Sequence, residues 1–156
     1  MKRFALLGSV SLILSAAALQ AQSSGRTCSN QTLRGAYGVL FTGTAAAASV
    51  LPGLTGTPGS IEQTTGVVIH TFDGFGQFTQ TDTVKGSLSG TVADRPGGGT
   101  YSVNADCSGT YSIIIPFPGV PPIVVRFVIV DSGKEFRGIV MSPQSSIVVA
   151  NGRKVD

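Results

Sequence analysis

The sequence predicts an all-β protein folded as a single antiparallel β-barrel of about eight strands. Short apolar or alternating runs recur every 8 to 12 residues or so with turn signals between them, the spacing typical of barrels and sandwiches. No segment carries the periodicity of an amphipathic helix. The 21 glycines suit strands that bend, and closure removes the exposed edges of an open sheet. A two-sheet β-sandwich is the alternative.

The first predicted strand covers residues 33–44, in which Tyr37, Val39 and Phe41 share one parity. Residues 45–60 then lose all periodicity and are rich in glycine and proline. They predict a long connection between strands.

A β-hairpin is predicted over residues 61–72 and 76–85, because the Asp73-Gly74 pair between them favours a tight turn. In its second strand the residues of one parity are Gln77 and three threonines, which favour a face exposed to solvent. The inner face then carries Phe78, Gln80, Asp82 and Val84.

A shorter strand is predicted over residues 87–92, and the Asp-Arg-Pro-Gly-Gly-Gly run at 94–99 predicts its end. The motif Gly-Thr-Tyr-Ser then occurs twice, at 99–102 and 109–112, on either side of a turn that contains Cys107. Threonine and tyrosine favour strands, so the two copies predict a pair of strands that meet at this turn.

The proline-rich residues 116–122 predict a rigid loop. The strand predicted over 123–131 is apolar on both parities except for Arg126, and we expect both of its faces to be covered. The last two predicted strands are 135–141 and one that begins with 147–150. The Asn-Gly pair that follows predicts a bend or bulge.

Residues 1–21 have the three parts of a secretory signal: two basic residues, an apolar run over 4–19 and small residues around Ala21. Cleavage after Ala21, with Ala18 as the alternative, leaves residues 22–156 as a single domain. We expect a secreted or periplasmic bacterial protein. No other apolar run approaches the roughly 20 residues of a membrane-spanning helix, so no membrane partner is expected after cleavage.

The net charge of the chain gives no reason to expect a nucleic-acid partner. The formal net charge of +3 includes Lys2 and Arg3, and without them nine basic residues face eight acidic ones. No basic cluster is interleaved with aromatic residues. No cofactor motif is present, and a single histidine without a Cys-x-x-Cys pair gives no zinc site.

The chain has two cysteines, Cys28 and Cys107, and both remain after signal cleavage. An even number of cysteines in an exported protein favours a disulfide, with two free thiols as the alternative.

Three segments carry a family resemblance: FDGFGQFT at 72–79, GTYSVNADCSGT at 99–110 and VDSGKE at 130–135. As a set they resemble a group of small exported bacterial β-barrel proteins, most of them uncharacterised. The scaffold looks similar to the allene oxide cyclase-like and dirigent-like barrels. This resemblance, which covers residues 28–156, implies a central cavity that holds a small hydrophobic molecule. No cyclase active-site motif matches residue by residue, so no catalytic role is transferred.

A barrel of this size holds at most a small ligand, which a few polar groups orient. The ionisable candidates for such a cavity are Glu62, His70, Asp82, Arg126 and Glu135. The candidate hydroxyl donors are Tyr37, Tyr101 and Tyr111.

Each ionisable candidate has a structural alternative. His70 is either a proton carrier beside a carboxylate or a solvated or hydrogen-bonded side chain near a turn. Arg126 either pairs with an inward carboxylate or lies outside with its stem over neighbouring valines. Glu135 and Arg137 share one face and alternatively belong to a surface ion pair.

Three functions follow as hypotheses. The first is binding of a small hydrophobic molecule, with the two proline- and glycine-rich loops as a lid. The second is a cyclase- or isomerase-like enzyme, which needs a protonatable group in the same cavity. The third is a structural or surface protein with a filled barrel that pairs through its apolar strand, as in a homo-oligomer. An inward ionisable pair with room beside it favours the second hypothesis, and a barrel filled by side chains favours the third.

Overall fold

The structure, a computed structural model, describes residues 27–46, 60–116 and 120–155. Eight strands in these ranges form one closed antiparallel barrel in which sequence neighbours are also neighbours in the sheet. The strands are β1 (Gly35–Ala46), β2 (Ile61–Phe72), β3 (Gln77–Gly86), β4 (Gly90–Val103), β5 (Ser108–Ile114), β6 (Ile123–Val130), β7 (Glu135–Ser142) and β8 (Ile147–Lys154). Short 3-10 turns occupy Asn30–Leu33 and Asp131–Gly133.

The barrel closes by pairing of β1 with β8, from Tyr37 opposite Lys154 to Thr44 opposite Ile147. The predicted antiparallel barrel is confirmed, and the sandwich alternative is wrong because the eight strands of the described residues close into one barrel without a sheet edge. In the described part of the chain no helix is long and apolar enough to cross a membrane.

Residues 94–99 do not end a strand as predicted, since they lie within β4. The turn signals instead mark an irregular stretch, where Asp94 takes a φ of 51° and the β3–β4 register shifts between Asp82 and Val84. The glycine run allows close approach of the next strand: a Cβ built at Gly99 would lie 1.9 Å from the Ser112 carbonyl oxygen. The predicted short strand and the first Gly-Thr-Tyr-Ser copy are therefore one strand.

One end of the barrel is filled by aromatic side chains. The rings in this cluster are Tyr37, Phe72, Phe78, Tyr101, Tyr111, Phe127 and Phe136. Leu33, from the 3-10 turn before β1, is fully buried and packs in the same core. We call this the closed end.

The predicted disulfide between Cys28 and Cys107 is confirmed, with the two Cα atoms 5.0 Å apart. It joins the segment before β1 to the β4–β5 turn at the closed end. Next to it Asn30 is fixed twice, because its carbonyl accepts from the Tyr101 hydroxyl and its side chain accepts from the Val103 N–H. Residues 28–30 are thus held against the closed end.

Two further sequence predictions are wrong. The outer face of β6 is not covered, since Arg126 is exposed and Val128 keeps 50% of its surface accessible. The Asn151-Gly152 pair is no bend, because both residues lie within β8. Gly152 is required there by packing: a Cβ on it would lie 2.2 Å from the Phe136 ring.

Candidate functional site

The half of the barrel away from the closed end contains a cavity of about 110 Å³. Its wall is mostly aliphatic, with Val68, Val84, Val125, Val140 and Val148 from five strands. It extends to Ala45, Pro143 and Ser146, beside the β7–β8 turn. Four polar side chains, His70, Gln80, Asp82 and Arg95, lie together in this wall. We call these four residues the polar wall.

The polar wall is built by strand register. His70 on β2 lies directly opposite Gln80 on β3, and Asp82 on β3 lies directly opposite Arg95 on β4. Gln80 and Asp82 are two residues apart on one strand, so their side chains point to the same face. Two cross-strand pairs and one same-strand contact therefore place the four side chains side by side, so that hydrogen bonds can link them in series.

Asp82 and Arg95 form a buried two-point ion pair. Arg95 Nε donates to Asp82 Oδ1 over 2.8 Å, and Nη2 donates to Oδ2 over 2.7 Å. Only 3% of Asp82 and 6% of Arg95 is exposed. A carboxylate and a guanidinium at this depth are tolerated because each neutralises the other through paired hydrogen bonds.

The hydrogen bonds of the polar wall have a fixed direction. The Asp82 carboxylate accepts only, so the Gln80 atom 3.0 Å from its Oδ2 is the amide nitrogen. The Gln80 oxygen then faces His70 Nε2, also at 3.0 Å, and this imidazole nitrogen must be the donor. Neutral His70 therefore carries its proton on Nε2 and a lone pair on Nδ1.

His70 is held in the neutral form by its surroundings. Burial lowers its pKa to about 4, and the hydrogen bond to Gln80 offsets only part of this effect. Phe78, Tyr111 and Phe72 surround the imidazole with ring centroids 5.2 to 5.7 Å away. Burial also raises the pKa of Tyr111 above its ordinary range, so that ring stays neutral too.

Two buried polar atoms of the wall, His70 Nδ1 and Arg95 Nη1, have no hydrogen-bond partner within residues 27–46, 60–116 and 120–155. Buried polar groups are nearly always hydrogen-bonded, so each exception requires an explanation such as strain, a catalytic role or a bound water or ion. The side chains of both residues line the cavity. One atom is an acceptor and the other a donor.

The structure brings two of the five ionisable candidates, His70 and Asp82, to the cavity. Glu62 is buried on the inner face of β2 but caps the β3–β4 turn, accepting from the N–H groups of Leu88 and Ser89 and from the Ser89 hydroxyl. Burial acts to raise the pKa of Glu62, but these hydrogen bonds outweigh it and the pKa is lowered. Its role is structural.

Arg126 and Glu135 lie outside the cavity. Arg126 alternates with the inward-facing Val125 and Phe127 and is exposed on the outer surface. Glu135 is opposite Arg153 on β8, and the two side chains form a surface ion pair at 3.5 Å. Arg126 therefore faces outward, as in its structural alternative, and Glu135 belongs to a surface ion pair whose partner is Arg153 and not Arg137.

All three tyrosine candidates belong to the aromatic cluster of the closed end, and Tyr111 alone of the three also lines the cavity. The Tyr37 hydroxyl donates to the Gly133 carbonyl, and the Tyr101 hydroxyl accepts from the Gly74 N–H. Burial raises the pKa of Tyr37 to about 12. These two hydroxyl groups tie loops to the barrel.

The sequence does not single out Arg95, because its segment is turn-like, or Gln80, because a neutral amide carries no signature of a site residue. The one signal for Arg95 was the acid already placed inside the barrel, since a buried Asp82 requires a cation. The proline- and glycine-rich loops proposed as a lid fall largely on residues 47–59 and 117–119, outside the described residues.

No family model matches the chain, and no curated protein matches it. Among solved structures, the chain is similar to a redesigned β-barrel at a TM-score of 0.46 and 15% sequence identity. The alignment covers 86% of this chain and 99% of that one. This likeness is too distant to bear on function.

Proposed function

We propose that this protein is an exported barrel that binds a small, largely apolar molecule in its interior. The observation that carries the proposal is the cavity itself, with aliphatic walls and one polar wall that holds two buried atoms without partners in the described residues. A mostly apolar pocket with a few convergent polar groups is the usual form of a small-molecule site.

The size of the cavity limits the ligand. An apolar protein cavity of about 150 Å³ accepts benzene. The 110 Å³ here therefore suits a molecule, or the buried end of a molecule, with roughly the volume of a benzene ring or less. The resemblance to allene oxide cyclase-like and dirigent-like barrels points to the same kind of ligand.

Export is the second part of the proposal. Disulfides persist in oxidising compartments and are rare in the reducing cytosol, so the Cys28–Cys107 bond is consistent with a periplasmic or secreted protein. The signal sequence predicted at residues 1–21 supports the same location, although these residues lie outside the described ranges. We place the binding domain at residues 22–156.

An isomerase-like enzyme is the second candidate, favoured by the buried Asp82–Arg95 pair beside open volume. Binding ranks first because a general base works best with a pKa near the ambient pH, and burial lowers the pKa of His70 to about 4. The filled-barrel hypothesis ranks third, since the aromatic cluster occupies the closed end and the cavity lies beyond it.

The test is a titration of the exported protein with benzene, followed by the methyl signals of the valines in the NMR spectrum. Val148→Phe fills the cavity from β8, and Val149→Phe is its matched control because Val149 is next in sequence and exposed on the outer face. We expect saturable shifts of cavity methyl signals in wild type and V149F and their loss in V148F. Shifts that are absent, or that persist in V148F, would refute the proposal.

A further inference from the structure

The polar wall indicates the chemistry of the ligand that the cavity takes. We infer that the cavity selects an uncharged molecule that carries both a hydrogen-bond acceptor and a hydrogen-bond donor, as a primary amide does, on a small apolar body. Arg95 Nη1 would donate to the acceptor and His70 Nδ1 would accept from the donor. This inference rests on the proposed function, since it specifies the ligand of the same cavity.

The donor half of the inference comes from the geometry of Arg95. Its Nε and Nη2 are both used on Asp82, which leaves Nη1 as the guanidinium nitrogen without a partner in the part of the chain that the structure describes. A buried donor without a partner destabilises the protein, so a ligand oxygen placed there gains the full strength of a bond to a charged group.

The acceptor half comes from the fixed direction of the hydrogen bonds. Asp82 orients Gln80, and Gln80 orients His70. The Nδ1 atom of His70 therefore carries a lone pair and is a hydrogen-bond acceptor, not a donor. A ligand that offers His70 only another acceptor is therefore excluded. Water can satisfy both atoms as well, and the experiment below separates that case.

The charge of the wall excludes an anion. Asp82 already neutralises Arg95 at 2.7 Å, so the four residues together carry no net charge when His70 is neutral. A carboxylate ligand would bring an uncompensated negative charge into an aliphatic cavity, which is strongly unfavourable. The Arg95 side chain therefore acts here as a hydrogen-bond donor more than as a counter-ion.

Three isosteric probes test this recognition against benzene as the apolar reference: isobutyramide, 3-methylbutan-2-one and isobutyrate. They share one branched apolar body and have the same number of non-hydrogen atoms. At pH 7.5 we expect the amide to bind at least about tenfold more tightly than the ketone, since the ketone leaves His70 Nδ1 without a donor. Isobutyrate should bind most weakly of the three.

The matched variant is Asp82→Leu with Arg95→Met, which removes the donor together with its counter-ion. Replacement of a buried ion pair by apolar residues is often tolerated, whereas loss of one partner is not. We expect the amide and the ketone each to weaken about tenfold relative to benzene in this double variant, because benzene makes no hydrogen bond to either side chain. If the variant does not fold, the order of the three probes on wild type alone decides.

The outcomes separate the two proposals. If benzene binds in wild type and is lost in V148F, but the amide and ketone bind alike or isobutyrate binds most tightly, the inference is wrong and the proposed function stands. Probes that all bind within about twofold of one another would show that water satisfies the two atoms, which also overturns the inference. If benzene does not bind at all, both proposals fail.

Discussion

Neutral His70 makes the stability of this protein depend on pH in a predictable direction. Well above pH 6.5 the imidazole is neutral in both the folded and the unfolded chain and has no effect on the free energy of unfolding. Between pH 6.5 and about 4, the unfolded chain binds a proton that the folded barrel excludes. Acid therefore lowers the free energy of unfolding across this window, and the loss is complete near pH 4.

The magnitude follows from the two pKa values. A pKa difference of one unit corresponds to about 1.4 kcal/mol, so the fall of the His70 pKa from 6.5 to about 4 corresponds to about 3.5 kcal/mol in full. At pH 4.5 about 2 to 3 kcal/mol of this loss should be present. Glu62, Asp73 and Asp106 also have lowered pKa values, and the stability that depends on them is lost at lower pH still.

The assay compares urea unfolding of wild type and His70→Gln at pH 7.5 and 4.5. Glutamine keeps a donor for the Gln80 oxygen but cannot titrate, so the wild-type loss should exceed that of the variant by about 2 to 3 kcal/mol. Because the chain has one histidine, the imidazole nitrogen shifts in an NMR titration also report its pKa without assignment by mutation. An imidazole that titrates near pH 6.5, or equal acid losses in the two proteins, would refute the reasoning.

Three further predictions concern stability. Arg95→Met alone leaves Asp82 buried without its cation and should cost about 3 to 5 kcal/mol in chemical unfolding. The double variant with Asp82→Leu loses only the Gln80–Asp82 hydrogen bond besides the ion pair and should cost less, about 1 to 3 kcal/mol; equal losses would contradict this. Reduction of the disulfide, whose cysteines are 79 residues apart, should lower the free energy of unfolding by about 4 to 5 kcal/mol, and an unchanged urea midpoint would count against it. Gly43→Ala should destabilise the barrel by about 1 to 3 kcal/mol or more, because its Cβ would lie 2.0 Å from a backbone oxygen of β8. Gly38→Ala is its control on the same strand, with its nearest contact at 3.7 Å, and equal melting temperatures for the two variants would disprove the packing argument.

Much of the fold was predictable because its signals are local. The bounds predicted for β2, residues 61–72, agree with the structure because an Asp-Gly turn follows it directly. The alternation in β3 likewise placed Asp82 on the inner face, since strict alternation of threonine with larger residues leaves one choice. The alternation of polar and apolar residues does not show which face Arg126 occupies, because β6 is apolar on both parities.

The site was less predictable because it depends on register between strands. The Arg95 side chain points into the barrel because Asp94 has a positive φ and the β3–β4 register shifts beside it. The sequence of residues 94–99 by itself reveals neither feature. The cavity is the space that the inward-facing side chains of all eight strands leave unfilled. Glycines contribute to it, and Gly97, for example, leaves room for the Gln80 side chain. A single sequence gives the inner residues of a strand but not the space between them.

The most direct test of the account is a crystal structure of residues 22–156 pressurised with xenon. Xenon enters apolar protein cavities. We predict a xenon peak between Val68, Val125 and Val148, next to the polar wall, with the Asp82–Arg95 pair intact. A barrel interior filled by side chains with no xenon peak would contradict the claim that this barrel is built to hold a small molecule.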